Sequence, residues 1–314
     1  MKILLIDKVH SSFKDKFNQW GWNSVEGYDW TYEKIENQIA EFDGVIIRSR
    51  IVLDFKILSF ATKLKFIGRP GAGLENIDLN FCEKKNILVF RSPEGNRDAV
   101  GEHIIGMLLS LLNNLYKADF EVRKGEWVRE GNRGRELKGK TVGIIGYGHM
   151  GRSFAQKLAG FEVNVIAYDK YLKGFGSELV DEVTLDEIFA KTDILSLHTP
   201  LSSETINMVN TFFLNKFQKP IILINSARGK SVILKDLLQA INNRKVVGAC
   251  LDVLEIESHS FETVNISGNN YLSELLEKDN VLFSPHIAGW TYESKNKMAQ
   301  VIIDKLYNEF VVKR

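Results

Sequence analysis

One stretch constrains this chain more than any other: "TVGIIGYGHMGRSFAQKLAG", residues 141–160. An apolar strand runs into Gly146, Gly148 and Gly151, a GxGxxG turn, and a helical pattern follows that Gly160 closes. Glycines at this spacing permit a tight turn, let a pyrophosphate approach the backbone and let the helix pack close to the strand. The helix N-terminus adds N–H donors and a favourable dipole. Such a turn is a weak signal alone, because glycine-rich turns are common. Here the next apolar run, "VNVIAY", ends in Asp169. That is close to the spacing of about 20 residues at which an acidic side chain meets the ribose hydroxyls of a bound dinucleotide. Asp169 would repel a 2′-phosphate, which favours NAD over NADP. The adjacent Lys170 weakens that preference.

The surrounding pattern is the one such a turn requires. Residues 2–6, 44–47, 65–67 and 87–90 read as strands, with helical patterns near 31–40, 54–61 and 78–85. A long amphipathic segment covers roughly 97–120. Six further strand candidates follow: 141–146, 163–168, 193–198, 221–225, 246–253 and 281–284. Their near-continuous Val, Ile and Leu content suits strands buried on both faces of a parallel sheet. A chain of 314 residues suggests two domains at about 100–200 residues each. The expected fold is α/β, with two doubly wound parallel-sheet domains. Pro93 and Gly95 punctuate the pattern at "RSPEGN", and a second boundary falls just after His286. This gives 95–288 as the dinucleotide-binding domain, with 1–94 and 289–314 as the other. From its pattern alone, the last helical segment could pack on either.

Composition excludes several classes of function. Hydrophobic residues make up 44% and charged residues 26%, with a formal net charge of +1. No block of like charge argues for a nucleic-acid or membrane-surface partner. Cys82 and Cys250 have no CxxC or Cys/His ligand spacing, so neither a disulfide framework nor a metal site is expected, and two buried thiols fit a reducing compartment. "MKILLIDKVH" reads as a first strand rather than a signal peptide. "IIGMLLSLL" is too short to span a bilayer. A cytoplasmic location is expected.

Three later strands end in residues suited to chemistry. "IILINSARGK" delivers Arg228, "VVGACLDVLEIE" delivers Asp252 and Glu257, and "VLFSPH" delivers His286. Taken singly, each has a plain structural reading: a turn arginine, a surface acid, a core histidine. Taken together, at the ligand-binding edge of one parallel sheet, they form a complete set. Hydride transfer at a carbonyl needs a proton donor, and imidazole titrates near about 6.5. A neighbouring carboxylate favours the imidazolium and fixes the ring. A guanidinium clamps a carboxylate in bidentate fashion and polarises the adjacent carbonyl.

These motifs resemble the D-isomer-specific 2-hydroxyacid dehydrogenase family over nearly the whole chain. The carrying stretches are "GRPGAGLENID" (68–78), "GIIGYGHMGRSFA" (143–155), "HTPLSSET" (198–205), "INSARG" (224–229), "ACLDVLEIE" (249–257) and "SPHIAGWT" (284–291). The resemblance implies His286 as acid–base, Glu257 as its partner and Arg228 as substrate clamp. It implies Gly146, Gly148, His149, Met150, Gly151, Asp169, His198, Thr199, Pro200, Ala227, Asp252 and Gly289 around an NAD cofactor, with Asp252 on the nicotinamide carboxamide. It also implies a flavodoxin-like substrate domain into which the cofactor domain is inserted, the last helix returning to the former. A two-fold homodimer through the segment after residue 97 is expected.

Within the family, "VIIRSRIVL" (45–53) and "IGRPGAGLENIDL" (67–79) resemble a branch whose substrate carries a phosphate besides its carboxylate. Arg48, Ser49, Arg69, Ala72 and Gly73 are the substrate-binding candidates, with Arg129 or Arg135 as a contribution from a second subunit. Arg50 reads as a solvated loop charge. The expected reaction oxidises 3-phospho-D-glycerate to 3-phosphohydroxypyruvate, the first step toward serine. The alternatives are reduction of hydroxypyruvate, glyoxylate or a bulkier 2-keto acid, and a non-catalytic dinucleotide-sensing protein. Two departures stand out. Ser258 replaces the proline that usually follows the glutamate, and the loop over 258–278 is idiosyncratic. The chain ends at Arg314 without the C-terminal regulatory domains some relatives have, so serine feedback through them is not expected.

Overall fold

In the computed structural model, residues 1–258 and 269–313 are described. They form two compact units. The first comprises Met1–Arg97 and the segment from Trp290 onward; the second comprises Asp98–Glu257 and the segment ending at Gly289.

The first unit contains β1 (Lys2–Leu5), α1 (Ser12–Gln19), β2 (Asn23–Glu26), α2 (Tyr32–Gln38), β3 (Gly44–Ile46), α3 (Phe55–Phe60), β4 (Phe66–Arg69), α4 (Leu79–Lys84) and β5 (Leu88–Arg91). All its strand pairings are parallel, in the order β2-β1-β3-β4-β5. This is the flavodoxin-like order, and it reverses between β1 and β3. β2 reads "NSVE" and has no fully buried residue, so it offers no apolar run to recognise in the sequence.

The long helix α5 (Pro93–Leu112) leads to α6 (Leu115–Arg123). The sequence suggested one amphipathic segment, but the chain breaks at Asn114, which adopts φ +52°. Asparagine visits that left-handed region more readily than most residues. The second unit then continues with β6 (Thr141–Ile145), α7 (His149–Leu158), β7 (Asn164–Tyr168), β8 (Asp181–Glu182), α8 (Leu185–Lys191), β9 (Ile194–Leu197), α9 (Thr211–Asn215), β10 (Ile221–Asn225), α10 (Leu234–Asn242), β11 (Val246–Leu251), α11 (Asn270–Leu276) and β12 (Val281–Phe283). Its parallel sheet has seven strands in the order β12-β11-β10-β9-β6-β7-β8. The seventh strand, β8, is a two-residue acidic edge that no hydrophobic pattern announces.

The reason these segments fold as they do is local. β9 "ILSL" and β10 "IILIN" are buried along their full length, as strands covered on both faces must be. Helices begin on side chains that accept an orphan N–H: Asp54 for α3, Asp78 for α4 and Thr184 for α8, the last reciprocated by Glu187. α11 likewise starts on Asn269 and replaces part of the expected loop, while 259–268 lie outside the described residues.

The last helix, α12 (Tyr292–Tyr307), belongs to the first unit. Its Ala299, Ile302, Ile303 and Leu306 join Ile3, Leu5, Phe13, Phe17 and Phe66 in one buried cluster. Cys82 and Cys250 are buried and free, and burial pushes their thiols up to about 11 and about 12. Among the described residues, no helix is long and apolar enough to cross a membrane.

Candidate active site

β10, β11 and β12 are adjacent and parallel, with Ile224 beside Cys250 and Cys250 beside Leu282. Their carboxyl ends therefore release three loops side by side, carrying Arg228, then Asp252 and Glu257, then His286. Asn225 shapes the first loop: its side chain accepts from Ala227 N–H at 3.1 Å and donates to Arg228 O at 3.0 Å. Gly229 lies so close to the second loop that a Cβ would meet Leu254 O at 1.9 Å. Glycine there brings the arginine loop against the one that carries the carboxylates.

Glu257 and His286 meet directly, with Nδ1 2.8 Å from Oε2. The other Glu257 oxygen accepts the backbone N–H of Leu254, which fixes the carboxylate. The side chains are only 25% (His286) and 11% (Glu257) exposed. A carboxylate can only accept, so Nδ1 carries a proton. His286 also has φ +54°. A non-glycine residue there is strained by roughly 1–3 kcal/mol and persists only where the surroundings over-determine it.

Asp252 supplies that constraint. Its carbonyl accepts His286 N–H at 2.7 Å. Its carboxylate accepts Ile287 N–H at 2.8 Å, Ala288 N–H at 3.0 Å and the Ser284 hydroxyl at 2.6 Å. Asp252 is 1% exposed. The resemblance implies a place for Asp252 on the nicotinamide carboxamide; in this structure its carboxylate wraps the turn that carries His286.

The glycine turn lies where the strand order reverses, between β9 and β7. Gly146 has φ +94°, and a Cβ on it would strike His198 O at 2.7 Å. A Cβ on Gly151 would strike Gly146 O at 2.2 Å, whereas Gly148 faces open space. Two glycines thus close the turn and the third leaves room for a ligand. The buried hydroxyls Thr199 Oγ1 and Ser226 Oγ, at the ends of β9 and β10, have no hydrogen-bond partner among the described residues. These features fit a dinucleotide along this edge.

Asp169 ends β7 with its carboxylate accepting from Tyr147, Tyr171 and Leu172 N–H groups at 2.8–2.9 Å. Burial opposes its charge, but these donors and Lys173 outweigh burial and hold the carboxyl below the usual carboxylate range. Lys170 is drawn off into an ion pair with Glu204. Of the remaining candidates on this edge, His149 opens α7 and Pro200 is exposed, Met150 packs against the core, and Ala227 is buried beside Arg228. Gly289 follows the turn that carries His286. The His198 ring lies against Phe154 and bonds Ser196 Oγ at 2.9 Å. Desolvation pulls its pKa from 6.5 down to about 3, which keeps it neutral.

In the first unit, Arg48 follows β3 at the β1/β3 reversal. Its N–H donates to Asp7 Oδ2 at 2.5 Å, and its guanidinium lies 4.2 Å from the centre of the Trp290 ring. Arg69 ends β4 and folds over Gly71, where a Cβ would sit 1.7 Å from Nη1. Gly71, at φ +153°, donates to the buried Ser92 hydroxyl at 2.9 Å and begins the Ala72–Gly73 turn. Ser49 lies between Arg48 and Arg50, half-buried. Arg50 is not the solvated charge expected from the sequence. It donates to the carbonyls of Trp30, Ile6 and Gly27 at 2.7–2.9 Å and sits near Asp7, so it ties loops together. Sequence reasoning also missed Asn225, Ser284 and His103, whose partners are set by the fold rather than by neighbouring residues.

Comparison with known proteins bears on this arrangement. Residues 105–288 match the family model "D-isomer specific 2-hydroxyacid dehydrogenase, NAD binding domain". The chain is 31% identical over 98% of its length to D-3-phosphoglycerate dehydrogenase of Archaeoglobus fulgidus, covering 57% of that protein. It is 32% identical over 86% of its length to hydroxypyruvate reductase of Thermotoga maritima, covering 86% of that one. The crystal structure of D-lactate dehydrogenase from Aquifex aeolicus, complexed with NAD and lactic acid, superposes with a TM-score of 0.82 at 27% identity, covering 98% of this chain and 95% of that one. The chain spans about half the length of several of the phosphoglycerate dehydrogenases it matches. This chain belongs to the D-isomer specific 2-hydroxyacid dehydrogenase family, and residues 105–288 are its NAD-binding domain.

Proposed function

We propose that this chain is an NAD-dependent dehydrogenase of D-2-hydroxy acids, and that its substrate is 3-phospho-D-glycerate, oxidised to 3-phosphohydroxypyruvate. The observation that carries the first part is the 2.8 Å His286–Glu257 pair. With Nδ1–H committed to the carboxylate, His286 Nε2 takes the substrate hydroxyl proton during oxidation and returns it during reduction. Glu257 stabilises the imidazolium that forms. Arg228 offers a bidentate donor to the substrate carboxylate and stabilises charge on the neighbouring oxygen. Gly146 to Gly151, Thr199, Ser226 and Asp169 would hold NAD, which supplies the hydride acceptor.

The phosphorylated substrate is supported by Arg48 and Arg69, cations at two neighbouring strand ends of the five-stranded sheet. It is also supported by the relatives named D-3-phosphoglycerate dehydrogenase. That reading places the protein at the first step toward serine, in the cytoplasm. The relatives named hydroxypyruvate reductase and glyoxylate reductase favour a second reading, reduction of an unphosphorylated 2-keto acid. Turnover with NADH on 3-phosphohydroxypyruvate, hydroxypyruvate, glyoxylate and a bulkier 2-keto acid decides between them. Equal kcat/KM for hydroxypyruvate and its phosphorylated form favours the second reading. No turnover on any of them removes both and leaves a binding protein.

A homodimer belongs to the same proposal. α6 buries none of its residues, and Leu115, Phe120, Val122, Trp127 and Val128 in and after it are between 44% and 79% exposed. A second copy laid on this face would cover them. Sedimentation of Phe120→Asp as a monomer, against a wild-type dimer, supports that partner; a wild-type monomer rejects it.

A further inference from the structure

A second histidine reaches the machinery that holds His286. His103 lies on α5, and its Nε2 is 2.9 Å from Ser284 Oγ. The same nitrogen is 3.6 Å from Asp252 Oδ1, and His103 is only 24% exposed. Met107, one helical turn on, brings its sulfur to 3.4 Å from the same hydroxyl. One face of α5 therefore grips Ser284, two residues before His286.

The direction of these bonds follows from their donors. Ser284 has one hydroxyl proton, and it lies 2.6 Å from a carboxylate oxygen that can only accept. The proton therefore goes to Asp252. The Ser284 oxygen is left to accept, so His103 Nε2 must carry the hydrogen it donates. The result is a directed chain from His103 to Ser284 to Asp252. Asp252 in turn holds the N–H groups of His286, Ile287 and Ala288. Without the His103 donor, the Ser284 oxygen loses a partner that holds it in place, and its bond to Asp252, one of those that shape the turn, is weakened.

We infer that His103 is a positioning residue for His286, acting through Ser284 and Asp252 to keep the strained turn aimed. The inference rests on the reading of His286 as the acid–base group. A small displacement of such a group lowers the rate of the chemical step without weakening cofactor binding.

The test compares His103→Leu, His103→Gln, Ser284→Ala, the double variant His103→Leu/Ser284→Ala, and His286→Asn. kcat and KM are measured for the preferred 2-keto acid, and Kd for NADH by fluorescence. His103→Leu is expected to lower kcat by about 10- to 50-fold, with KM and NADH Kd within about two-fold. His103→Gln keeps an N–H donor at similar reach and should recover most of kcat, which a purely space-filling role would not predict. Ser284→Ala should match His103→Leu, and the double variant should be no worse than either, because all three break one chain.

Wild-type kcat in His103→Leu, equal losses in the Leu and Gln variants, or additive losses in the double variant would each overturn the inference. If His103→Leu does not fold, wild-type kcat in Ser284→Ala overturns it instead. His286→Asn separates the two levels. Full turnover in that variant defeats the acid–base reading itself. An inactive His286→Asn beside a fully active His103→Leu defeats only the role of His103.

Discussion

The carboxyl edges of the two sheets are built alike and furnished differently. Each belongs to a parallel sheet whose strand order reverses once, and each receives polar residues from successive strands. In the seven-stranded sheet these residues are locked to one another: Glu257 to Leu254 and His286, Asp252 to four groups of the next loop, Asn225 to its own turn. In the five-stranded sheet the edge carries arginines, one under an indole and one folded over a glycine. The difference separates two kinds of requirement. On the proposed reading the first is proton transfer, which tolerates little misplacement and suits groups held by bonds at both ends. The second, on the same reading, is recognition of an anion, which asks for charge within reach, as long cationic side chains can supply.

The largest expected effect tests the locked edge. His286→Asn should reduce kcat by about 10²–10⁴-fold, while the NADH Kd from fluorescence titration stays within about two-fold. Asparagine suits this position better than alanine, because it tolerates the left-handed backbone and so isolates the loss of the imidazole. Equal loss of turnover and NADH binding would blur the contrast between holding and reacting.

The second effect belongs to the cationic edge. Arg69→Met should lower kcat/KM for 3-phosphohydroxypyruvate by about 10- to 100-fold, the worth of one charge-assisted hydrogen bond. Hydroxypyruvate should lose far less. A matching loss on both substrates would move Arg69 from phosphate recognition to general architecture.

The third concerns acid. The native His198 titrates at about 3 against an ordinary 6.5. Between those values the unfolded chain binds a proton that the native chain refuses. The stability this gives is full above pH 6.5 and is lost progressively as pH falls toward 3. The slope is about 1.4 kcal/mol per pH unit. His198→Gln should flatten that slope when urea midpoints are followed from pH 6.5 to 4; an unchanged slope would mean the ring is hydrated.

The smallest effect lies at the proposed adenosine end. Lys170 pairs with Glu204, which also accepts the Tyr171 hydroxyl at 2.5 Å. Glu204→Gln should release the lysine and raise the NADP-to-NAD ratio of kcat/KM about three- to ten-fold, modest because the pair is exposed. Adding Lys170→Met should reverse the gain.

What could be read from the sequence divides along similar lines. The glycine turn, Arg228, Glu257 and His286 were legible because each stands at a fixed offset from an apolar run. β2 and β8 were not, since an edge strand of "NSVE" or two acids presents no hydrophobic face to detect. Arg50 looked like a solvated charge because its carbonyl partners on Ile6, Gly27 and Trp30 come together only in the folded sheet. His103 sits in "AVGEHIIGM" with no local hint of purpose; its partner Ser284 lies 181 residues away.

The return of α12 to the first sheet has a consequence for how the chain is made. Ile302, Ile303 and Leu306 cover a core that includes Ile3, Leu5 and Phe17, near the opposite end of the sequence. During synthesis the strands of the first unit emerge early yet keep that face bare, because the helix that shields it is made only after the second unit. The second unit is complete by Gly289, before α12 has formed. Of these two units, the one begun earlier is thus completed later. Its uncovered sheet is the surface on which a chaperone, or misassembly with another nascent chain, would act.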